Sequence, residues 1–405
     1  GLHAMTNMSE PDDRRAPLNR LLRQLRMTRD SLGLIPQMES RVSFPDADLR
    51  FDNSAETLRE CIAETFPRSR RGFAELERRV AEFPAFSYEP CRLSTRQVLE
   101  TTLPDPLLRE MLLCPLMYYG SAEEEDMDFR QFCILFRSVF DEGLGRPALG
   151  MEHVLSLLRN RVEEAGCELH LRCGVQRISC EGNAAASVVL DSGETRRCGA
   201  ILSCAGLGET MALCGMEHRL SPTPGRMSFA ESIFVLDTEP VELGFADSIL
   251  FRNDRERFHF RATDRLLDED SVVICAPGHF SGSSPGRETT VRVTTIAGCD
   301  AWLHMDEDRY AESKARACDR HRALLERDIP GVAARIVAGD FFTPRTVFRF
   351  TGHRNGAVYG TPEKVIDGRT PLDNVFICGT DQGFLGIVGS LMSGVSMANY
   401  HLLRP

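Results

Sequence analysis

The sequence predicts an α/β fold. A nucleotide-type domain is built from separated segments, and an antiparallel sheet domain and a mostly helical region are inserted between them. Three observations carry this prediction. Residues 151–206 read as helix, strand, meander, buried strand and glycine, an order of nucleotide domains rather than all-β ones. Residues 210–342 read as a run of short strands closed by one long helix. The last stretch, "NVFICGTDQGFLGIVGSLMSGVSMANYHLL" from Asn374, reads as a buried strand, a glycine-rich loop and a helix.

The elements follow in order. "PLNRLLRQLRM" (Pro17–Met27) is a short helix, and "RVSFPDADLRF" is a hairpin around Pro45-Asp46. Ser54 to Phe83 is helical, with Leu58, Ile62, Phe66, Phe73, Leu76 and Val80 at mostly three- or four-residue steps. "LLREMLLCPLMYYG" is a second apolar helix, broken at Pro115, and "DFRQFCILFRSVFDEG" is a third. This first third is apolar enough to act as a lid or a lipid-facing surface. A glycine loop then leads into a helix, Glu152–Ala165, that stops at Gly166. Strands follow at Glu168–Leu171 and "VQRISCEG", then a hairpin and the buried strand Ala200–Cys204 ending at Gly206. In the next block "FAESIFVLDTEP", "SILFRN", "RFHFRAT", "DSVVICAPGH" and "TTVRVTTIAG" are strands, and "RYAESKARACDRHRALLERDIPG" is a helix ending before Pro330. The chain then returns to the domain it left near Gly206. The resulting boundaries are 1–20, 141–209 and 343–405 for the nucleotide domain, 21–140 for the helical region and 210–342 for the sheet domain.

A chain of 405 residues suits two or three domains and needs no disulfide staples. The net charge of −11 argues against nucleic acid as a main partner. Among 48 basic residues only Lys314 and Lys364 are lysine, a skew that fits base composition of the source genome. The fourteen cysteines are scattered singly, with no CxxC pair and no zinc spacing, and read as reduced thiols in a cytosolic protein. No metal site is expected. No apolar run of about 18 residues could span a bilayer, and no signal peptide is visible.

A strand, a glycine-rich turn and a helix form a recurring phosphate device. Glycines let backbone amides approach closely, and the helix N-terminus adds partial positive charge. At such a turn the Asp381 carboxylate would accept bonds from a sugar hydroxyl. The competing reading is plain packing, since Ser390, Ser393, Gly394 and Ala398 are small enough for close backbone contact. The spacing is neither GxGxxG nor a Walker loop.

Four stretches resemble one family together. "RPALGMEHVLSLLRNRVEEAGCELHLRCGVQRI", "AILSCAGLGET", "TPRTVFRFTGHRNGAVYG" and "NVFICGTDQGFLGIVGSLMSG" stand in the order of the phytoene desaturase and carotenoid isomerase group of FAD-dependent oxidoreductases, which includes retinol saturase-like enzymes. The resemblance runs over nearly the whole chain. It implies a partial FAD-binding, glutathione-reductase-type domain and FAD as cofactor. It implies that Val175 meets the adenine through its backbone, that Ala205 and Gly206 pass close to the cofactor, and that Gly150 and Met151 border the ring. Gly379, Thr380, Asp381, Gly383, Gly386, Ile387 and Val388 would form the C-terminal flavin motif. Two departures stand out. The family opens with a βαβ unit carrying GxGxxG, which this sequence does not show; "GLHAMTN" looks like the segment just after it, with Gly1 and His3 in the Gly-x-His. Such a unit, roughly 30 residues or more, is expected upstream or lost. Gly379 is also followed by Thr380-Asp381, where many relatives have Gly-Asp.

The resemblance implies desaturation, saturation or isomerisation of C–C double bonds in a long apolar polyene-like or isoprenoid substrate. No catalytic residue emerges. His353 in "TGHRNG" reads as a loop histidine bonded to backbone more than as a neighbour of the flavin, Tyr359 equally as tunnel wall or packing, and Asp141 and Glu142 as turn caps. "AEEEDMD" (Ala122–Asp128) reads as a solvated acidic loop, and "FRQFCILFRSVF" as core more than membrane anchor. The expected setting is a bacterial cytoplasm, with peripheral membrane contact through the first-third helices. Two alternatives stay open. One is a truncated, non-redox protein that binds apolar ligands. The other is an amine-oxidase-type flavin oxidase, against which stands the lack of paired aromatics near Tyr359.

Overall fold

The computed structural model describes residues 4–85, 92–280 and 289–403. Gly1, His3 and Cys91 lie outside them. The dominant element is a seven-stranded sheet. Its order is Ile336–Phe342, Phe229–Leu236, Thr290–Ala297, Leu267–Cys275, Ile249–Asn253, Ser40–Phe44 and Ala47–Phe51. The hairpin Ser40–Phe44/Ala47–Phe51 forms as expected. It is not part of a separate lid, however. It extends the inserted sheet by pairing parallel with Ile249–Asn253, the one parallel pairing of that sheet.

One cross-strand row organises the inserted domain. Phe342 stands opposite Glu231, Glu231 opposite Thr294, Thr294 opposite Val273, Val273 opposite Phe251, and Phe251 opposite Val42. Directly opposed residues share a face. Val273, Phe251 and Val42 therefore enter one apolar core with the helices of the first third. The other face carries Ala230, Ser232 and Phe234 against helix Glu307–Asp328. There the buried His321 ring joins Ser232 Oγ through Nδ1 (2.9 Å) and Thr295 Oγ1 through Nε2 (3.0 Å).

The first-third helices pack into the core. Helix Pro106–Gly120 starts at Asp105, whose side chain accepts from Leu107 N (3.0 Å) and Leu108 N (3.4 Å), with Pro106 at the first turn. It runs on through Pro115 without breaking, and Met111 to Met117 are buried. Burial of that apolar length outweighs the lost backbone bond, about 3 kcal/mol in an exposed helix. Phe132, Phe136 and Phe140 pack edge-on and tilted within the same core. These residues offer no lipid-facing surface. Among the described residues no helix is long and apolar enough to cross a membrane.

The nucleotide-type part comprises helix Met151–Glu164, the meander Val175–Glu181, Ala184–Leu190 and Thr195–Arg197, and the parallel pair Ile201–Ser203 and Val375–Ile377. Two expected strands are absent. Glu168–Leu171 is irregular, and so is "RFHFRAT", although Phe258 and Phe260 are fully buried. The Ser54–Phe83 helix is two helices, Ala55–Thr65 and Arg70–Glu82, separated by a turn at Pro67.

Candidate functional site

The glycine loop has the strand–turn–helix order read from its sequence. Strand Val375–Ile377 ends at Cys378. The turn passes through Gly379, Thr380–Gln382 and Gly383, and helix Gly386–Met397 begins. Gly379 N–H donates to Ser393 Oγ (2.7 Å), so the small residue at 393 ties turn to helix. The helix N-terminus has no capping side chain and no acidic residue in its first turn. Its first amides have no intrahelical acceptors. They open on a cavity of about 1830 Å³. Gly386 has φ +70°, and a Cβ there would meet nothing within 4 Å.

The cavity is shared between the two parts of the molecule. Met151, Thr380, Gly383, Gly386, Ile387 and Val388 line its nucleotide side. Of the other sequence-predicted cofactor residues, Gly150, Val175, Ala205, Gly206, Gly379 and Asp381 lie off its lining. The sheet side has aromatic walls from Tyr118, Tyr119, Phe229, Phe251 and Tyr359, together with Glu231 and Thr294 of the cross-strand row. Phe229 stacks on Tyr118 (5.7 Å between centroids) and meets Tyr359 edge-on (5.9 Å). Tyr359 Oη donates to Tyr118 O, and Tyr118 Oη to Ser271 Oγ (3.0 Å). Thr294 Oγ1 donates to Glu231 Oε2 (2.9 Å). An aromatic pair, Phe229 stacked on Tyr118, therefore lies beside Tyr359, where the sequence reading expected none. Tyr118 comes from helix Pro106–Gly120, Phe229 from a strand and Tyr359 from a loop, so their meeting depends on tertiary packing, which no local pattern reveals.

Asp381 is buried and holds the site together. Its Oδ2 accepts from Leu207 N (2.6 Å) and its Oδ1 from Thr361 N (2.8 Å). Its carboxylate is thus engaged by two backbone amides of the fold. It also explains a glycine: a Cβ on Gly360, at φ +65°, would lie 1.8 Å from Asp381 Oδ1. Lys364 Nζ sits 4.0 Å from Asp381 Oδ1 and donates to Tyr359 O (2.6 Å). Burial pushes the Lys364 ammonium down to about 8, against the opposing pull of Asp381 and Glu123.

The other candidates fall into place. His353 Nδ1 meets Ala357 O (3.1 Å), the backbone-bonded loop histidine expected. Glu142 caps nothing; it accepts from Asn7 Nδ2 (2.8 Å) at the cavity wall. Asp141 ends a π turn, and burial raises its carboxyl to about 6. The acidic loop is not simply solvated: Asp126 accepts from Ser94 Oγ (2.6 Å) and Arg96 N (3.1 Å), and Asp128 caps helix Phe129–Phe136. No cluster of potential metal ligands occurs among the described residues.

A parallel strand pair feeding an uncapped helix N-terminus, with an inserted sheet domain closing over the same cavity, is the layout of an FAD-binding flavoprotein. The chain belongs to the family of flavin containing amine oxidoreductases, whose model matches residues 6–400. FAD is the cofactor of that family, and the room at Gly386, where a Cβ would meet nothing within 4 Å, and the uncapped amides behind it fit its phosphates. Prolycopene isomerases 1 and 2 of an Oncidium hybrid cultivar, both chloroplastic, are 23% identical over 273 residues, which is 64% of this chain. The matched stretch spans 46% of each of those relatives, less than half their length. An oxidoreductase from Methanosarcina mazei shares the fold with a TM-score of 0.65 at 12% identity, covering 98% of this chain and 87% of that one. Cyclohexylamine oxidase from Brevibacterium oxydans does so with a TM-score of 0.56 at 14% identity, covering 98% and 87%.

A charge test of the helix terminus follows. Gly386→Glu places a carboxylate before the bare amides, and the weakening of FAD binding is expected to exceed tenfold, about 1.4 kcal/mol. Gly386→Gln carries the same backbone strain without the charge and is expected to lose much less. Flavin fluorescence titration of both variants checks this.

Proposed function

We propose that this protein is an FAD-dependent oxidoreductase acting on C–C double bonds of a long apolar, polyene-like substrate. The observation that carries the reading is the single cavity joining aromatic walls to the glycine turn. The amides of Gly386, Ile387 and Val388 would hold cofactor phosphate, with Met151, Thr380 and Gly383 bordering it. FAD supplies hydride or electron transfer when bound. The chain's part is to hold the substrate and keep it dry. Tyr118, Phe229, Phe251 and Tyr359 give flat apolar walls, and burial at roughly 25 cal/mol per Å² retains a polyene without polar anchors. Burial pushes the Tyr118 and Tyr359 phenols upward, so both stay neutral donors to their protein partners. The likeness to prolycopene isomerases supports the same substrate class.

An amine substrate is the second reading. The family description and the Tyr118–Phe229–Tyr359 cluster beside Glu231 favour it. The two separate in one experiment. FAD-loaded protein is incubated without oxygen, first with a poly-cis carotene, then with cyclohexylamine. Polyene turnover seen by chromatography, with no bleaching of flavin by the amine, is expected. Bleaching by the amine and an unchanged polyene would overturn the proposal.

A further inference from the structure

We infer that Lys364 is a carbonyl-binding residue of the cavity, taking the aldehyde group of a long apolar ligand as an imine. The inference rests on the apolar-substrate reading above and adds a polar end to that substrate. The residue choice is the first argument. Arginine fills nearly every basic position in this chain, and Lys314 and Lys364 are the exceptions. Lys314 is on the surface, 3.9 Å from Asp340. Lys364 is in the cavity wall, with its side chain 16% exposed. A guanidinium would serve as well for neutralising Asp381, and it cannot lose its proton in a protein. A primary amine can.

The surroundings suit the chemistry. Imine formation needs a neutral amine, and burial favours that form. The charged groups acting on the Lys364 ammonium are Asp381 and Glu123. Once an imine is protonated, its positive charge needs a counter-ion in a dry site. Asp381 Oδ1 stands 4.0 Å away, fixed by Thr361 N. The step balances without a redox partner. Nζ adds to the carbonyl carbon, a C–N bond forms, the carbonyl oxygen leaves as water with the two amine hydrogens, and no electrons are transferred. Tyr359, whose carbonyl holds Nζ, also carries the ring that meets Phe229, so the amine lies at the edge of the aromatic wall.

The test uses all-trans-retinal as probe on the purified protein, with cyanoborohydride reduction, digestion and mass spectrometry. With only two lysines in the chain the map is simple. The adduct is expected on Lys364 at least tenfold over Lys314, despite the greater exposure of Lys314. Labelling of Lys364 should rise with pH around 8, and Lys364→Arg should remove it while retinol, which has no carbonyl, still binds by fluorescence. Adduct confined to Lys314 or the N-terminal amine, with retinol still bound, overturns the inference and leaves the apolar-substrate reading standing. Failure of retinol and retinal alike to bind overturns both.

Discussion

Asp381→Ala is expected to destabilise the protein by about 3–5 kcal/mol and to abolish FAD binding. Two costs combine. The amides of Leu207 and Thr361 lose their acceptor inside the protein, each at about 1–3 kcal/mol. The Lys364 ammonium loses its buried counter-charge, a type of loss that runs to about 3–5 kcal/mol by itself when complete. The sum exceeds the expectation because water entering the vacated space solvates part of the damage. The glycine turn follows, since Val365 N bonds the Asp381 carbonyl and the turn is anchored at that point. Asp381→Asn keeps the volume and one acceptor and should recover part of the loss. Chemical denaturation beside flavin titration measures both effects. An alanine variant as stable as the parent would show that the carboxylate is not what joins these segments.

The second large effect concerns pH. His321 is fully buried between Ser232 and Thr295, and desolvation lowers it to about 3 from an ordinary 6.5. Its pKa is depressed on folding, so the unfolded chain binds the proton first. The contribution is whole above pH 6.5 and is lost progressively as pH falls toward 3, on the order of 5 kcal/mol in all. His321→Gln can keep a donor and an acceptor and cannot take up a proton in this range. Its stability should fall less steeply over the same window. Parallel stability curves for parent and variant would refute the assignment.

Much of the nucleotide part was legible because its signals are local. A strand of Val375, Phe376 and Ile377, a glycine turn and a small-residue helix sit within thirty residues of sequence, and the structure keeps that order. Half of the predicted cofactor residues line the cavity for the same reason. The substrate side was not legible, because it depends on register and packing between distant segments. Nothing near Val42 announces that it will face Phe251, or that Phe229 will lie between Tyr118 and Tyr359. Alternation also misled at "RFHFRAT". Phe258 and Phe260 are buried as alternation implies, yet no strand pairs with them. Alternation reports which side chains are covered, and a ladder needs a neighbour as well. Pro115 misled in the opposite sense, since a fully buried helix carries a proline that an exposed one would not.

The most direct measurement is a titration of the purified protein with FAD, followed by quenching of flavin fluorescence. Saturable binding of one FAD per chain is expected, with the flavin spectrum shifted when retinol is then added to the shared cavity. A folded protein that binds retinol and leaves FAD fluorescence unchanged would contradict it.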